Sequence, residues 1–287
     1  MSIKIVKFLG GLGNQMFQYA FYLALQKHFK NVRADLTAFK TYALHNGFEL
    51  HTVFNIKLEE ASPFELNLLL PQNRKWIWRK LRRLYDTKNA YWEEQPQFIY
   101  HDTIFEQRKS RYYWGYWQHI EYINMVADKL RNHFQFPNIV DKQNTTLIRQ
   151  VENRITVALH VRRGDYLTEP LLGGICDEKY YDRAIAYMQE RIESPLFVIF
   201  SNDIKWCQTK FRNIDSIFVD WNIGTESYRD MQLMHMCNHF IIANSSFSWW
   251  AAWLGRHPEK IIISPNQWVT DPSWDTSGLI LPSFKTL

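Results

Sequence analysis

Cysteine is scarce in this sequence: Cys176, Cys207 and Cys237 stand far apart in a chain of 287 residues. None belongs to a C-x-x-C pair, which argues against a disulfide framework or a zinc site and for a reducing compartment. Long apolar runs are missing too. No stretch of 18 apolar residues occurs, and Met1 to Val6 shows no basic segment leading into an apolar core, so neither a spanning helix nor a secretory leader is expected. The expectation is a soluble, cytoplasmic protein. Zinc-finger spacing and RNA-binding signatures are also absent, so no nucleic-acid partner is expected. Neither an internal repeat nor a low-complexity tract appears.

What is present is an ordinary globular composition, 46% hydrophobic and 22% charged, with a modest net charge of +5. Aromatics reach 16%, with 12 Trp and 15 Tyr. Such rings suit stacking on sugars or bases, but most are expected to fill cores. Positive charge gathers in "NRKWIWRKLRRL", residues 73–84, where basic residues alternate with apolar ones that include two tryptophans. A helix of that pattern suits either peripheral contact with an anionic membrane surface, such as the inner membrane, or a plain solvated face.

Strand and helix patterns alternate. Ile3 to Phe8 reads as a strand and Asn14 to Phe29 as a helix. Residues 37–137 read as irregular, aromatic-rich and interrupted by Pro63, Pro71, Pro96 and Pro137. "FPNIVDKQNTT", residues 136–146, is polar and turn-forming, which suggests domains of 1–140 and 150–287. Beyond it, strands are expected at 155–161, 196–201, 216–219, 240–243 and 260–264. Helices are expected at 179–192, 203–211, 226–236 and 247–254. The fold class is α/β, two Rossmann-like halves facing a cleft, the first with a long insertion. Ligands of such sheets bind beyond the carboxyl ends of the strands.

Several groups of residues fall at those ends. The first turn, "FLGGLGNQ", places Gly11, Gly13, Asn14 and Gln15 between strand and helix. Gly11, Gly13 and Asp35 fit a dinucleotide fingerprint, but Met16 holds its third glycine position, which weakens the redox reading. A tight turn alone explains the glycines but not two adjacent amides, since a helix needs one cap. "ALHVRRGDY" ends a strand with His160, Arg162, Arg163 and Asp165. A guanidinium matches phosphate by paired hydrogen bonds, and Asp165 is placed to hold one arginine; a surface salt bridge is the bland reading. "FIIANSSFSWWAAWL" runs from a strand through Ser245 and Ser246 into a helix at Phe247, either a phosphate site at a helix N-terminus or a serine cap. In "ESYRDMQLMHMC", Asp230 is either a solvent-facing charge or the acceptor of two hydrogen bonds from an edge such as guanine N1 and N2.

"GGLGNQMFQYA", "HVRRGDY", "FSND" and "NSSFSWWAAWL", in this order over nearly the full chain, resemble the α-1,2-fucosyltransferases of glycosyltransferase family 11. The resemblance implies a GT-B-like fold and a GDP-L-fucose donor held by the C-terminal half. It implies inversion at the anomeric carbon, and an α-1,2 linkage commonly made to galactose in a glycan acceptor, as in bacterial surface glycan synthesis. By position, His160 and Arg162 match the nucleotide-contacting motif, with Arg162 on the β-phosphate as the catalytic charge. Ser245, Ser246 and Phe247 fall at the pyrophosphate, and Asp230 at guanine. Asp203, in "FSNDIKW", belongs to another family motif, although a helix N-cap explains it equally. The glycine turn then faces the acceptor side, with Asn14 and Gln15 toward the fucose or the acceptor. The chain has no D-x-D, the motif by which metal-dependent glycosyltransferases hold a divalent ion, so neither metal nor cofactor is expected, and no general base stands out. Two rivals stay open: an NAD-dependent oxidoreductase built on the glycine turn, and a noncatalytic sugar-nucleotide- or glycan-binding protein.

Overall fold

A computed structural model describes residues 2–40, 46–164, 166 and 168–287. Asp165 lies outside the described residues. The chain divides into two compact units, Met1–Gln135 and Phe136–Leu287, each built on its own parallel sheet.

The first unit runs β1 (Lys4–Lys7), α1 (Leu12–His28), β2 (Val32–Asp35), α2 (Glu49–Phe54), α3 (Pro63–Leu69), α4 (Trp76–Leu84), β3 (Tyr91–Glu93), β4 (Arg111–Trp114), α5 (Ile120–Asn124) and α6 (Ala127–His133). Its sheet has the order β2-β1-β4-β3, and Ile5 pairs with both Arg33 and Tyr112. The stretch expected to be irregular therefore supplies two of the four strands. Helix α1 is apolar on nearly every face and is buried on nearly every face, as such a helix must be. Around it the aromatics pack on one another: the rings of Phe21 and Trp117 stack at 4.0 Å, and Tyr113 and Tyr122 stand edge-on to Phe21. Of the tyrosine and tryptophan of this unit, Tyr19, Tyr22, Tyr112, Tyr113, Tyr122 and Trp117 are buried.

The second unit runs α7 (Lys142–Val151), β5 (Thr156–Val161), α8 (Glu178–Gln189), β6 (Leu196–Ser201), α9 (Ile204–Lys210), β7 (Ser216–Val219), α10 (Tyr228–Met236), β8 (His239–Ile241), α11 (Ser246–Leu254), β9 (Ile262–Ser264) and β10 (Lys285–Thr286). The expected elements are all found, with ends displaced by at most three residues. Strands β5 and β6 carry the apolar runs Val157–Leu159 and Leu196–Phe200 because helices cover both faces.

The order of this sheet is β10-β9-β8-β5-β6-β7. From β5 the chain steps one way through β6 to β7, then returns past β5 to lay β8 on its other side. Leu159 of β5 thus pairs with Ile199 of β6 and with Ile241 of β8. The direction of winding reverses between β5 and β8, and in open α/β sheets ligands bind at that crevice, beyond the carboxyl ends.

Candidate functional site

Two chain segments leave the sheet at the reversal. His160 is the next-to-last residue of β5, and the strand runs out into Arg162, Arg163 and Gly164. From β8 the chain passes through Asn244 and Ser245 into α11. Nδ1 of His160 lies 2.8 Å from Oγ of Ser248, in the first turn of α11, and the ring of Phe247 is 6.0 Å from the imidazole. Burial, reinforced by the positive charge of Arg162, pushes the His160 pKa down to about 3. His160 is therefore a neutral imidazole at physiological pH, a hydrogen-bonding group rather than a cation.

Ser245 caps α11, its hydroxyl accepting from the N–H of Phe247 at 3.4 Å. Asn244 fixes the turn before it, donating to the carbonyls of Leu172 (3.0 Å) and Trp268 (3.1 Å). At the other end of α11, the ammonium of Lys260 donates to the carbonyls of Ala252 and Gly255 at 2.8 and 2.7 Å. A cation there satisfies the helix C-terminus, while the N-terminal turn with Ser246 keeps the positive end of the dipole beside Arg162's strand end. A helix start, an arginine and a neutral imidazole are groups whose chemistry suits a phosphate or another anion.

The two arginines are held differently. Arg163 stacks 4.1 Å over the ring of Trp206, its Nε donates to Asp203 at 3.3 Å and its backbone N–H to Asn202 at 3.0 Å. The other carboxylate oxygen of Asp203 caps α9 through the N–H of Trp206. Asp203 is thus both helix cap and anchor of Arg163, a pairing that 40 intervening residues hide from the sequence. A Cβ at Gly164 would run into the side-chain amide nitrogen of Asn202, which would then have to move. Arg162 lies 5.3 Å from the ring of Tyr166, whose hydroxyl donates to the carbonyl of Asn244.

Asp230, in the first turn of α10, is half-buried. Burial pushes its pKa up to about 7, against the opposing hydrogen bond from Asn222. That bond, 2.8 Å to Oδ1, opens a polar chain the sequence did not disclose. Asn222 exchanges hydrogen bonds with Asn144 of α7, which also accepts from Trp221 and donates to Asp141. Among the described residues, the second oxygen of Asp230 accepts no hydrogen bond.

In the turn between β1 and α1, the residue whose backbone demands glycine is Gly10, with φ +79°. A Cβ there would sit 2.7 Å from the Asn14 amide nitrogen. Gly11 is the extended N-cap of α1, and Gly13 is buried within it. Asn14 is half-buried, its oxygen accepting from Gln118 at 2.8 Å. Gln15 is fully buried. Its amide nitrogen donates to the carbonyls of Gly10 and Gly47, both at 2.9 Å, and its oxygen accepts from the N–H groups of Glu49 and Leu50. Every amide position of Gln15 is spent, and it acts on any ligand only through the loop it clamps. Asp35, at the end of β2, is equally committed: it pairs with Lys7 at 3.1 Å and accepts from Tyr112 at 2.6 Å and from the N–H of Thr37 at 2.8 Å. Burial raises its pKa, but the hydrogen bonds from Thr37 and Tyr112 and the charge of Lys7 leave it below the usual carboxylate range. No carboxylate is left there for a nucleotide ribose.

The model of glycosyl transferase family 11 matches residues 3–275. An α-1,2-colitosyltransferase of Escherichia coli is 36% identical over 278 residues, covering 93% of each chain. A galactoside α-(1,2)-fucosyltransferase of Oryctolagus cuniculus is 29% identical over 85% of this chain and 62% of its own length. Among solved structures, NodZ α-1,6-fucosyltransferase, co-crystallized with GDP, superposes with a TM-score of 0.56 at 12% identity, covering 92% of this chain and 95% of that one. The fold is thus the GT-B-like pair of Rossmann-like units.

Proposed function

The chain belongs to glycosyl transferase family 11, and from that premise we propose that it transfers L-fucose from GDP-L-fucose to the 2-hydroxyl of a galactoside. The observation that carries this reading is the grouping at the β5–β8 reversal: a neutral imidazole, a strand-end arginine and a serine-capped helix start. On this reading the pyrophosphate lies against the first turn of α11, with Ser245, Ser246 and Phe247, and Arg162 binds the β-phosphate. His160, fixed by Ser248, contributes a neutral contact that does not compete with Arg162 for the anion. Asp203 serves the same strand end by immobilising Arg163. Asp230 accepts from guanine N1 and N2, its geometry set by Asn222. Gly11, Gly13 and Asn14 line the fucose or acceptor side.

In the transfer, the acceptor 2-oxygen forms its bond to the anomeric carbon as the bond from that carbon to the β-phosphate oxygen breaks. The electron pair leaves with GDP, the acceptor hydroxyl's proton passes to solvent, and the anomeric centre inverts. Charge grows on the β-phosphate as the bond breaks, so fixed donors aimed there supply the main catalytic effect. Arg162 and the start of α11 are those donors.

The experiment is direct. Purified protein with GDP-L-fucose and lactose should release GDP and yield a fucosylated product whose linkage is α-1,2 by NMR. Donor binding without GDP release on any galactoside would instead favour a noncatalytic binding protein.

The colitosyltransferase relative supports a second reading, in which the donor sugar is colitose, the 3-deoxy counterpart of fucose. The two donors differ by one oxygen. A site that hydrogen-bonds the 3-hydroxyl rejects the deoxy sugar by roughly 10⁴-fold, whereas an apolar wall separates them by about 100-fold at most. The ratio of kcat/KM for the two GDP-sugars decides between them.

A further inference from the structure

The basic tryptophan segment divides cleanly in the structure. Arg82 turns inward: it is buried, and one guanidinium nitrogen donates to the carbonyls of Asn67, Leu70 and Asn73. It closes the C-terminus of α3 as a cation should. Trp78 packs edge-on against Phe64 at 5.5 Å. Arg82 and Trp78 thus fasten α4 to α3.

Apart from half-buried Leu81, the rest of α4 points outward. Trp76 is 71% and Leu84 76% exposed, with Ile77, Tyr85 and Phe64 exposed beside them. Lys80 lies four residues from both Trp76 and Leu84, on the same helical face, and Arg79 and Arg83 flank it. Arg74 and Lys75 stand exposed just before the helix. From Leu66 to Tyr85 there is no acidic residue. The acids that bracket the stretch are engaged elsewhere, Glu65 by the N–H and hydroxyl of Ser62 and Asp86 by Lys109. Among the described residues, none of the five outward cations pairs with a carboxylate.

We propose that this outward face of α4 docks on the surface of an anionic lipid bilayer. The cations match lipid phosphates, and the exposed aromatic and aliphatic side chains enter the boundary below them. The mixture of side chains selects this occupant. Nucleic acid would satisfy the cations but offers Ile77 and Leu84 no apolar phase. A second copy packed about a two-fold axis would set this cationic face against itself. No described helix is long and apolar enough to cross a membrane, so the contact is peripheral.

The test uses the full chain and sedimentation with vesicles of phosphatidylcholine alone or mixed with phosphatidylglycerol. Binding is expected only to the mixed vesicles and should weaken as salt rises. The triple variant Arg79→Glu, Lys80→Glu, Arg83→Glu should lose at least 100-fold in vesicle affinity, since each basic residue removed near the surface is worth about fivefold. Trp76→Ser with Leu84→Ser should lose binding with the charges intact. Both variants should keep the wild-type thermal transition and turnover of a soluble acceptor, because these side chains leave the packing of α4 on α3 untouched. Equal binding to both vesicle types, undiminished binding by the triple variant, or no vesicle binding at all would overturn the proposal. So would self-association or nucleic-acid binding that the same substitutions abolish in place of vesicle binding.

Discussion

Nδ1 of His160 and Oγ of Ser248 lie 2.8 Å apart, joining the end of β5 to the first turn of α11 across the point where the sheet reverses direction. Both residues are buried, so the bond fixes the imidazole's orientation where the donor phosphates are proposed to lie. Ser248→Ala leaves a buried ring nitrogen unpaired, worth about 1–3 kcal/mol. The expected outcome is a fall in kcat/KM of roughly 10- to 100-fold with the fold retained by circular dichroism. A variant with lower thermal stability but undiminished kcat/KM would reduce the bond to a packing role.

Arg162 and Arg163 adjoin in sequence but should differ sharply on substitution. Arg163 is committed to Trp206 and Asp203, whereas Arg162 is proposed to meet the growing phosphate charge. Arg162→Ala should cost ~100-fold or more in turnover. Arg162→Lys should recover little, because one ammonium cannot make the paired contact. Arg163→Ala should cost only a few-fold. Retention of a tenth of wild-type turnover by Arg162→Ala would dismiss the assignment, as would comparable losses at both positions.

The contrast shows what the sequence discloses. Leu196 to Ser201 was legible to the residue because a parallel strand covered on both faces reads as a continuous apolar run. Strands Tyr91–Glu93 and Arg111–Trp114 were not, being three and four residues of mixed aromatic and charged character between turns. His160, Arg162 and Ser245 could be singled out because strand ends and helix starts are local signals. The partners of those residues could not. Asp203 reaches Arg163 across 40 residues and Asn144 reaches Asn222 across 78, and no local pattern encodes such a distance. The same limit explains Gln15, where two adjacent amides pointed to a ligand although one of them is absorbed by backbone groups of a loop 32 to 35 residues away.

Asp230 gives the pH dependence. Burial holds its pKa near 7, while guanine N1–H and N2–H require the carboxylate. GDP affinity should therefore rise with pH up to about 7 and level off above, with proton release on binding near pH 7. Asp230→Asn should bind GDP more weakly and flatten that dependence, since an amide matches only one of the two donors. A mispaired polar edge costs about 1–3 kcal/mol, and IDP, without the N2 amine, should lose less than GDP. Calorimetry on both nucleotides at several pH values measures this. Unchanged GDP affinity in the mutant would send guanine recognition elsewhere.

Transfer should persist in excess EDTA. The sequence has no D-x-D, and Arg162 with the α11 N-terminus is proposed to carry the charge a divalent ion otherwise would. Loss of activity that manganese or magnesium restores would refute this.

Asn14 and Gln15 should separate stability from activity. Gln15 is fully buried, with four backbone groups satisfied by its amide. Gln15→Leu preserves the bulk but strands those groups, and buried unpaired polar atoms cost about 1–3 kcal/mol each before relaxation. A destabilisation of several kcal/mol is expected, read as a lower first thermal transition. Gln15→Glu should be at least as severe, because a carboxylate cannot donate to the carbonyls of Gly10 and Gly47 and adds a buried charge. Asn14 is half-buried and its oxygen is bound by Gln118, so Asn14→Ala should shift the transition far less. If its side chain lines the fucose or acceptor side, that variant should raise the KM for the galactoside or lower kcat while GDP affinity stays unchanged. Thermal melts and acceptor kinetics on the two variants read the two effects independently. An Asn14→Ala enzyme with wild-type acceptor kinetics would make the whole turn structural.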